Sequence, residues 1–197
     1  MPRSASAPPV EYWETDSLSD HVSLIRRQMD RSLRDPETRR LAMRIVNGTP
    51  DGVADGVPYV TAWGQRYRLP HAQPCAIGSD ACESQALWDF WVLNVRYTPD
   101  PAGYDFFATL RYTLEAGGGD CDDSVIGLGA LHRAVGFANV KARVISTSGV
   151  YWEHIYLLTG FPRHGRTTSW VSLDPTVKGA TPGWQFKRPR KAVDFRM

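Results

Sequence analysis

The order of segments along the sequence predicts an α+β fold in which one helix packs across an antiparallel sheet. In the first half, apolar residues recur every three or four positions, which is typical of helices. A glycine-rich turn, GGGDCDD, then precedes the helix-like run SVIGLGALHRAVG, and three strand-like segments follow. With 197 residues, of which 42% are hydrophobic, the chain can bury one core. We therefore expect a single domain over residues 17–180.

The first 48 residues divide into an arm and extra N-terminal helices. Residues 1–16 are rich in Pro, Ser and Ala, which predicts a flexible arm. Residues 17–48 predict two helices. The apolar residues of SLSDHVSLIRRQMDRSL follow a helical period, and Pro36 in DPETRRLAMRIVNG occupies a first-turn position where proline is tolerated.

The middle of the chain is predicted to hold a long loop followed by a helix. Residues 49–79 contain many Gly and Pro residues, which predicts a loop or lid with a short strand at PYVTAWGQRYRL. SDACESQALWDFWVLNVRY then predicts a helix, which opens a catalytic-type core over residues 80–180. We expect its apolar face to hold Ala86, Leu87, Phe90, Trp91, Leu93 and Val95.

Three strands and a tail complete the predicted order. VKARVIST, WEHIYLLTGF and SWVSLDP are short and rich in β-branched and aromatic residues, so we expect consecutive strands. Residues 181–197 are interpreted as a basic C-terminal tail, with its charge concentrated in FKRPRK. Such a run is typical of a solvated tail, and the alternative is a docking peptide for a partner protein or nucleic acid.

The charge balance argues against electrostatic binding to nucleic acid or membranes. The 23 basic and 21 acidic residues give a net charge of +2, which is too small to predict either partner. No apolar run approaches the ~18 residues of a membrane span, and MPRSASAPPVEYW lacks the apolar core of a signal peptide. We therefore expect a cytoplasmic protein.

Three cysteines limit the covalent and metal chemistry. Cys75, Cys82 and Cys121 are an odd number without a CxxC pair, which disfavours a disulfide framework and a zinc ribbon. The short segment AIGSDA leaves a bridge between Cys75 and Cys82 open, although thiols inside a cell usually stay reduced. We expect no cofactor and no metal.

Cys121 occupies a position that favours a nucleophile. At the first turn of a helix it faces unpaired backbone N–H groups and the positive end of the helix dipole, and both favour the thiolate. The sequence thus predicts a lowered pKa for Cys121. Gly117, Gly118 and Gly119 would let the backbone approach closely, so that a substrate carbonyl reaches the sulfur and nearby N–H donors.

Two downstream segments offer a base and an orienting group for this cysteine. His154 lies in YWEHIYL and Asp174 lies in WVSLDP. If the two strands are adjacent and antiparallel, His154 can face the sulfur while Asp174 holds the imidazole, which predicts a Cys-His-Asp triad. His132 is excluded as the base, because it lies about three helical turns beyond Cys121.

Three acids, Asp120, Asp122 and Asp123, flank the cysteine. Clustered carboxylates are typical ligands of hard cations, but the spacing is not that of an EF-hand loop. Capping and the helix dipole explain acids at a helix start. Because their charge opposes thiolate formation, we expect at least one of them to pair with an arginine such as Arg133 or Arg143.

GGGDCDD with a helix after it, HIY on a strand and WVSLDP resemble the motifs of the transglutaminase-like superfamily, in the family's order of Cys, His and Asp. The upstream stretches DPETRRLAMRIVNG and WDFWVLNVRYTPDPAG resemble those of bacterial and phage-borne members. The resemblance spans roughly residues 35–177 and implies a papain/transglutaminase-like core. The sequence departs from the family at HIYLL, which is wholly apolar where members often carry an acidic residue.

The resemblance assigns roles to single residues. It implies that Cys121 is the nucleophile, that His154 is the general base and then the acid, and that Asp174 is the orienting carboxylate. It also implies a substrate pocket beside the triad, formed by Trp152, Trp170, Gly119 and Asp120.

The chemistry that the resemblance implies is acyl transfer from an amide. We expect a peptidase or amidase acting on a peptide or protein amide, rather than a protein cross-linker. The alternative is a non-catalytic structural or interaction protein that retains the fold, such as a component incorporated in a phage particle. That protein would bind an assembly partner through its N-terminal arm or its basic tail.

Overall fold

The computed structural model describes residues 11–12, 17–102 and 104–197. These residues form a mixed α+β fold with five helices and mainly antiparallel sheets, which agrees with the predicted class. The helices are α1 (Leu18–Arg34), α2 (Pro36–Val46), α3 (Asp80–Asn94), α4 (Leu110–Ala116) and α5 (Cys121–Ala134). The strands are β1 (Glu11–Tyr12), β2 (Gly52–Ala54), β3 (Val57–Ala62), β4 (Gln65–Arg68), β5 (Arg96–Tyr97), β6 (Phe106–Phe107), β7 (Gly118–Gly119), β8 (Val140–Ser146), β9 (His154–Phe161), β10 (Ser169–Leu173) and β11 (Lys191–Arg196).

The two N-terminal helices form where the apolar period predicts them. Ile25 and Met29 of α1 are fully buried. Asp35 ends α1 and caps α2, because its carboxylate accepts a hydrogen bond from the backbone N–H of Glu37. Pro36 stands at the start of α2, where its missing N–H removes no intrahelical bond.

Helix α5 runs through the centre of the domain. Every residue from position 122 to position 132 is buried, and the helix contacts α1, α2, α3, α4 and the strands β8 and β9. Two glycines permit this packing. A Cβ on Gly127 would lie 2.1 Å from the ring of Trp91 in α3, and one on Gly129 would lie 2.2 Å from Met29 in α1. Neighbouring helices therefore contact the backbone of α5 directly.

A four-stranded antiparallel sheet lies against α5. Its strand order is β10-β9-β8-β11, and β8, β9 and β10 coincide with the three predicted strands. Strand β9 lies between β8 and β10, and it makes the sheet's main contact with α5. The first residue of β9, His154, is therefore placed on the strand nearest the cysteine helix.

The C-terminal residues belong to this sheet, so the prediction of a free basic tail over residues 181–197 is corrected. Strand β11 pairs with β8 along its whole length. Val193 and Phe195 pack against the core, and Asp194 accepts two hydrogen bonds from the guanidinium of Arg143. The basic residues made the alternating strand pattern hard to recognise in the sequence. The partner strand, β8, lies far away along the chain.

Residues 49–79 form a small sheet and not a long loop. Strands β2, β3 and β4 pair antiparallel, and a tight turn through Trp63 and Gly64, both with positive φ, joins β3 to β4. Val60 and Tyr67 are buried, and the sheet packs against α2 and α3. The sequence prediction included only one short strand here, because frequent Gly and Pro residues mask strands of three to six residues.

Cys75 and Cys82 form a disulfide, the bridge that the sequence left open. The backbone N–H of Cys75 donates to the carbonyl of Val46 at the end of α2, and a turn closed from Ser79 to Ala76 brings the chain back to α3. This local geometry places the two Cα atoms 5.6 Å apart, a normal separation for a bridge. The disulfide ties the small sheet to the first turn of α3.

Two other predictions concern single segments. On α3, the predicted buried residue Leu93 is 40% exposed, because it lies at the margin of the apolar face that Leu87, Phe90 and Trp91 form. Of the predicted N-terminal arm, only Glu11–Tyr12 lies within the described residues, where it pairs with β6. The rest of the arm lies outside them.

Removal of β11 tests whether the C-terminal residues belong to the folded domain. We expect a chain that ends at Arg190 to melt at least about 4 °C lower, because β8 loses one of its two partner strands and each kcal/mol shifts Tm by ~2–4 °C in a domain of this size. The measurement is a thermal melt followed by circular dichroism. As a control, Lys187→Gln with Arg188→Gln removes exposed charges and should leave Tm unchanged. An unchanged Tm in the shortened chain would restore the free-tail interpretation.

Candidate active site

A cleft of about 610 Å³ opens at the N-terminal end of α5. Cys121 and His154 both line this cleft, together with the segment that follows α3 and the N-terminal end of α1. The two predicted reactive residues are therefore brought to one cavity. No residue of 49–79 lines it, so the predicted lid role of that segment is wrong.

The chain places Cys121 at the start of α5 by a sharp turn. Gly117 ends α4 with a left-handed conformation, φ +67°. Gly118 and Gly119 form β7, which pairs in parallel with β5, and a Cβ on Gly118 would lie 2.5 Å from the hydroxyl of Thr98. The carboxylate of Asp120 then accepts hydrogen bonds from the backbone N–H groups of Asp122 and Asp123, at 3.0 and 3.3 Å. This agrees with the capping interpretation of the acids.

The predicted contact between His154 and Asp174 is present. Nε2 of His154 lies 2.7 Å from Oδ2 of Asp174, which follows β10 directly and is only 1% exposed. The hydroxyl of Thr176 donates to the other oxygen of Asp174 at 2.7 Å and fixes the carboxylate. The ring of Phe186 packs against the imidazole with centroids 5.3 Å apart. Because Asp174 occupies Nε2, Nδ1 is the ring nitrogen left for a reacting group.

The thiol of Cys121 does not have the lowered pKa that its helix position predicted. Burial, and then the charges of Asp122 and Asp120, raise its pKa well above the usual value. Hydrogen bonding to the backbone of Ile155 acts in the opposite direction without reversing the result. That contact also shows that the sulfur lies beside the residue that follows His154. The helix dipole is thus outweighed by burial and by the neighbouring acids.

The arginines proposed as partners of these acids lie elsewhere. Arg133, at the far end of α5, pairs with Asp30 at 3.0 Å, and Arg143 pairs with Asp194 at 2.7 Å. The partner of Asp122 is His21 of α1, whose Nε2 lies 3.0 Å from Oδ2 of the carboxylate. The prediction of an arginine partner is therefore wrong.

His21 is the site residue that sequence reasoning missed. Its Nδ1 also lies 3.8 Å from Oδ2 of Asp105, so the ring bridges two acids of the cleft. Burial opposes its charge, but the hydrogen bond to Asp122 and the charges of Asp122 and Asp105 outweigh it and raise the pKa of His21. A signal was available, because His21 stands four positions before the fully buried Ile25 on one face of α1.

The acids at the start of α5 repel one another in a buried setting. Burial first, and then the charges of Asp122, Asp123 and Asp100, raise the pKa of Asp120 to about 9. Burial and the same kind of repulsion raise the pKa of Asp123 to about 7. The pKa of Asp100 is also raised, mainly by burial. At neutral pH Asp120 therefore keeps its proton and Asp123 is partly protonated, so the cluster carries less negative charge than its number of acids suggests.

Asp120, Cys121 and Asp122 have potential metal-ligand atoms within 4.8 Å of one another. Two of the carboxylate oxygens have other functions, since one caps α5 and one binds His21. The geometry leaves few oxygens for a hard cation, which usually takes six or more.

The remaining predicted pocket residues separate into two groups. Asp120 and Trp152 line the cleft, and Trp152 is 42% exposed. Gly119 instead lines a neighbouring cavity of about 400 Å³. Trp170 pairs with Gly160 near the far end of β9, ~20 Å from its first residue, and the ammonium of Lys141 lies over its ring at 4.2 Å. The prediction that Trp170 and Gly119 line the substrate pocket is therefore wrong.

His132 has the structural role that its distance from Cys121 predicts. It is fully buried, its Nδ1 lies 2.8 Å from the carbonyl of Leu128, and its Nε2 lies 3.0 Å from the hydroxyl of Ser84. Burial lowers its pKa to about 4. It therefore stays neutral in the core.

Comparison with protein-family models, with curated proteins and with solved structures found no match. The resemblance to transglutaminase-like proteins therefore depends on the sequence motifs alone. None of the helices in the described ranges is both long enough and apolar enough to cross a lipid bilayer.

The raised pKa of Asp123 predicts a pH dependence of folding. A carboxyl whose folded pKa is about 7 stabilises the fold below its ordinary pKa, and this contribution is lost as pH rises through about 7. We expect the free energy of unfolding to fall between about pH 4 and pH 8, by up to about 4 kcal/mol from this group. The side chain of Asp123→Asn does not titrate, so the part of the pH dependence that comes from Asp123 should disappear. Its amide oxygen can still accept the hydrogen bond from the backbone N–H of Ala108.

The measurement is urea denaturation at several pH values. Asp55→Asn, at an exposed turn outside the cleft, provides the matched control and should follow the wild type. Parallel pH profiles for the wild type and Asp123→Asn would show that ionisation of Asp123 does not destabilise the fold.

Proposed function

We propose that the protein is a cysteine hydrolase that cleaves an amide bond, a peptidase or amidase with a papain/transglutaminase-like core. The observation that supports this most strongly is the pairing of His154 with the buried Asp174 in the cleft that Cys121 also lines. A nucleophile at a helix start, an imidazole and an orienting carboxylate are the parts that thiol acyl transfer needs.

In the proposed reaction, Nδ1 of His154 accepts the proton of the Cys121 thiol as the sulfur attacks the amide carbonyl. The backbone N–H of Cys121, at the first turn of α5, has no intrahelical acceptor and can donate to the oxyanion. His154 then gives its proton to the leaving amine as the C–N bond breaks. Water, deprotonated by His154, releases the acid from the thioester and restores the thiol. Asp174 orients the imidazole and stabilises its charged form.

The raised pKa of Cys121 determines how the first step proceeds. A thiol that holds its proton near neutral pH has to transfer it during the attack, so His154 serves as a general base and not as half of a preformed ion pair. Acids beside the sulfur, Asp120 and Asp122, keep the free protein in this form. Substrate binding that offsets their charge would make the sulfur a better nucleophile.

The alternative is a non-catalytic protein that retains the fold, such as a phage particle component. The raised pKa of the Cys121 thiol favours this non-catalytic alternative, because a protonated thiol is a poor nucleophile unless a base removes its proton. The basic C-terminal residues, one of the two segments expected to bind an assembly partner, instead form a strand of the four-stranded sheet. We propose that a hydrolase would act in the cytoplasm, and that a non-catalytic protein would be incorporated in a phage particle.

Alkylation of Cys121 tests the proposed pairing. We expect iodoacetamide to modify Cys121 of the folded wild type at least about tenfold faster than in His154→Ala over about pH 6 to pH 9, because only the wild type has a base beside the thiol. The rate is followed by intact-protein mass spectrometry, with peptide mapping to assign the site. His71→Ala removes a partly exposed histidine that pairs with Asp89 on α3, and it should react like the wild type.

Turnover provides the second part of this test. Against a mixed library of peptide amides, the wild type should release amine, and Cys121→Ala should lose at least about 10³-fold in rate. Equal alkylation rates in wild type and His154→Ala, together with no turnover, would support the scaffold alternative.

A further inference from the structure

The cleft beside Cys121 carries a one-sided set of charges. Five acidic residues line it, Asp100, Asp105, Asp120, Asp122 and Glu153, of which Asp120 keeps its proton at neutral pH because its pKa is raised to about 9. Among the described residues, no Lys or Arg side chain lines the cleft, and its cationic groups are limited to histidines. An anionic ligand would be repelled here, whereas a cationic one would be attracted.

One of these acids has an unused hydrogen-bonding atom. Asp122 is only 4% exposed, and its Oδ2 binds His21, but its Oδ1 has no hydrogen-bond partner among the described residues. A buried carboxylate oxygen without a partner is costly, and a ligand that donates hydrogen bonds and carries positive charge would satisfy it. Asp122 lines the cleft, so a donor bound there would lie against this side chain.

The position of Asp122 relates this oxygen to the reaction. A carboxylate oxygen of Asp122 and the sulfur of Cys121 belong to a group of atoms that lie within 4.8 Å of one another. A cation that pairs with Asp122 would therefore lie about one side chain away from a carbonyl attacked by the sulfur.

Aromatic side chains form the rim of the same cleft. Tyr97, Tyr151 and Trp152 are 55%, 74% and 42% exposed, and all three line it. Exposed aromatic faces above a carboxylate floor are typical of sites that bind organic cations, because the ring faces attract positive charge. This favours an ammonium or guanidinium group on a carbon chain over a bare metal ion.

We propose that the cleft recognises a cationic side chain, an ammonium or guanidinium group, carried by the substrate within about one residue of the scissile amide. This inference rests on the proposed function, because it specifies the substrate class of the same site. Bound positive charge would offset Asp120 and Asp122 beside the sulfur, which agrees with the raised pKa of the thiol in the free protein. A substrate with a cationic side chain would thus favour transfer of the Cys121 thiol proton to His154.

Binding is tested without turnover in Cys121→Ala. The probes are four acetylated hexapeptide amides that differ only at the central residue, which is Lys, Arg, Gln or Glu, and affinity is measured by isothermal titration calorimetry. We expect the Lys and Arg peptides to bind at least about tenfold tighter than the Gln peptide, and the Glu peptide to bind weakest. The preference should shrink as salt is added.

Two further substitutions in the Cys121→Ala background locate the cation. Asp122→Asn should remove most of the preference, and Asp105→Asn, at a half-exposed acid, should reduce it in part without risk to the fold. Asp89→Asn is the matched control, since Asp89 also pairs with a histidine but lies outside the cleft. Equal affinity for the Lys and Gln peptides, or a preference that both cleft variants retain, would overturn the inference.

The remaining outcomes separate this inference from the proposed function. Selective binding of cationic peptides without turnover by the wild type would support the cation site and contradict the hydrolase. Turnover with a preference for neutral or acidic peptides would support the hydrolase and contradict the cation site. Stoichiometric Zn²⁺ binding to the wild type that Asp122→Asn abolishes and that displaces the Lys peptide would assign the acids to a metal.

Discussion

The burial of α5 along its length is the constraint on which the rest of the structure depends. Four helices and the central sheet contact this helix, and the absence of side chains at Gly127 and Gly129 lets Trp91 and Met29 reach its backbone. A helix held in this way cannot shift along its axis without disrupting the core. Its first turn, and with it Cys121, is therefore placed by packing several turns away.

The same burial determines the electrostatics of the site. Asp120 caps the helix, and Asp123 accepts a hydrogen bond from the backbone N–H of Ala108, but the acids of the first turn lie close together in a region with little water. His21 offsets part of that charge from α1, and a bound cation would offset more. The free protein therefore keeps Cys121 as a thiol. In the proposed reaction, the reactivity of the sulfur then depends on His154 and on the bound substrate.

Local patterns predicted much of the fold and the centre of the site. Helical periods located α1 and α2. The Cys and His motifs located Cys121 and His154, which line the cleft, and the Asp motif located Asp174, which pairs with His154. The features that were missed depend on distant partners. Strand β11 is defined by pairing with β8, and the role of His21 is defined by Asp122. The pKa of Cys121 was predicted in the wrong direction because a sequence shows the helix start but not the burial.

The central claim is that Cys121 forms a covalent acyl intermediate with the help of His154. The most direct measurement is intact-protein mass spectrometry after mixing the folded protein with a p-nitrophenyl ester of acetyl-lysine and quenching with acid. We expect a mass increase of one acyl group at Cys121, formed rapidly in the wild type and much more slowly in His154→Ala. An adduct that forms equally fast in both proteins, or none at Cys121, would contradict it.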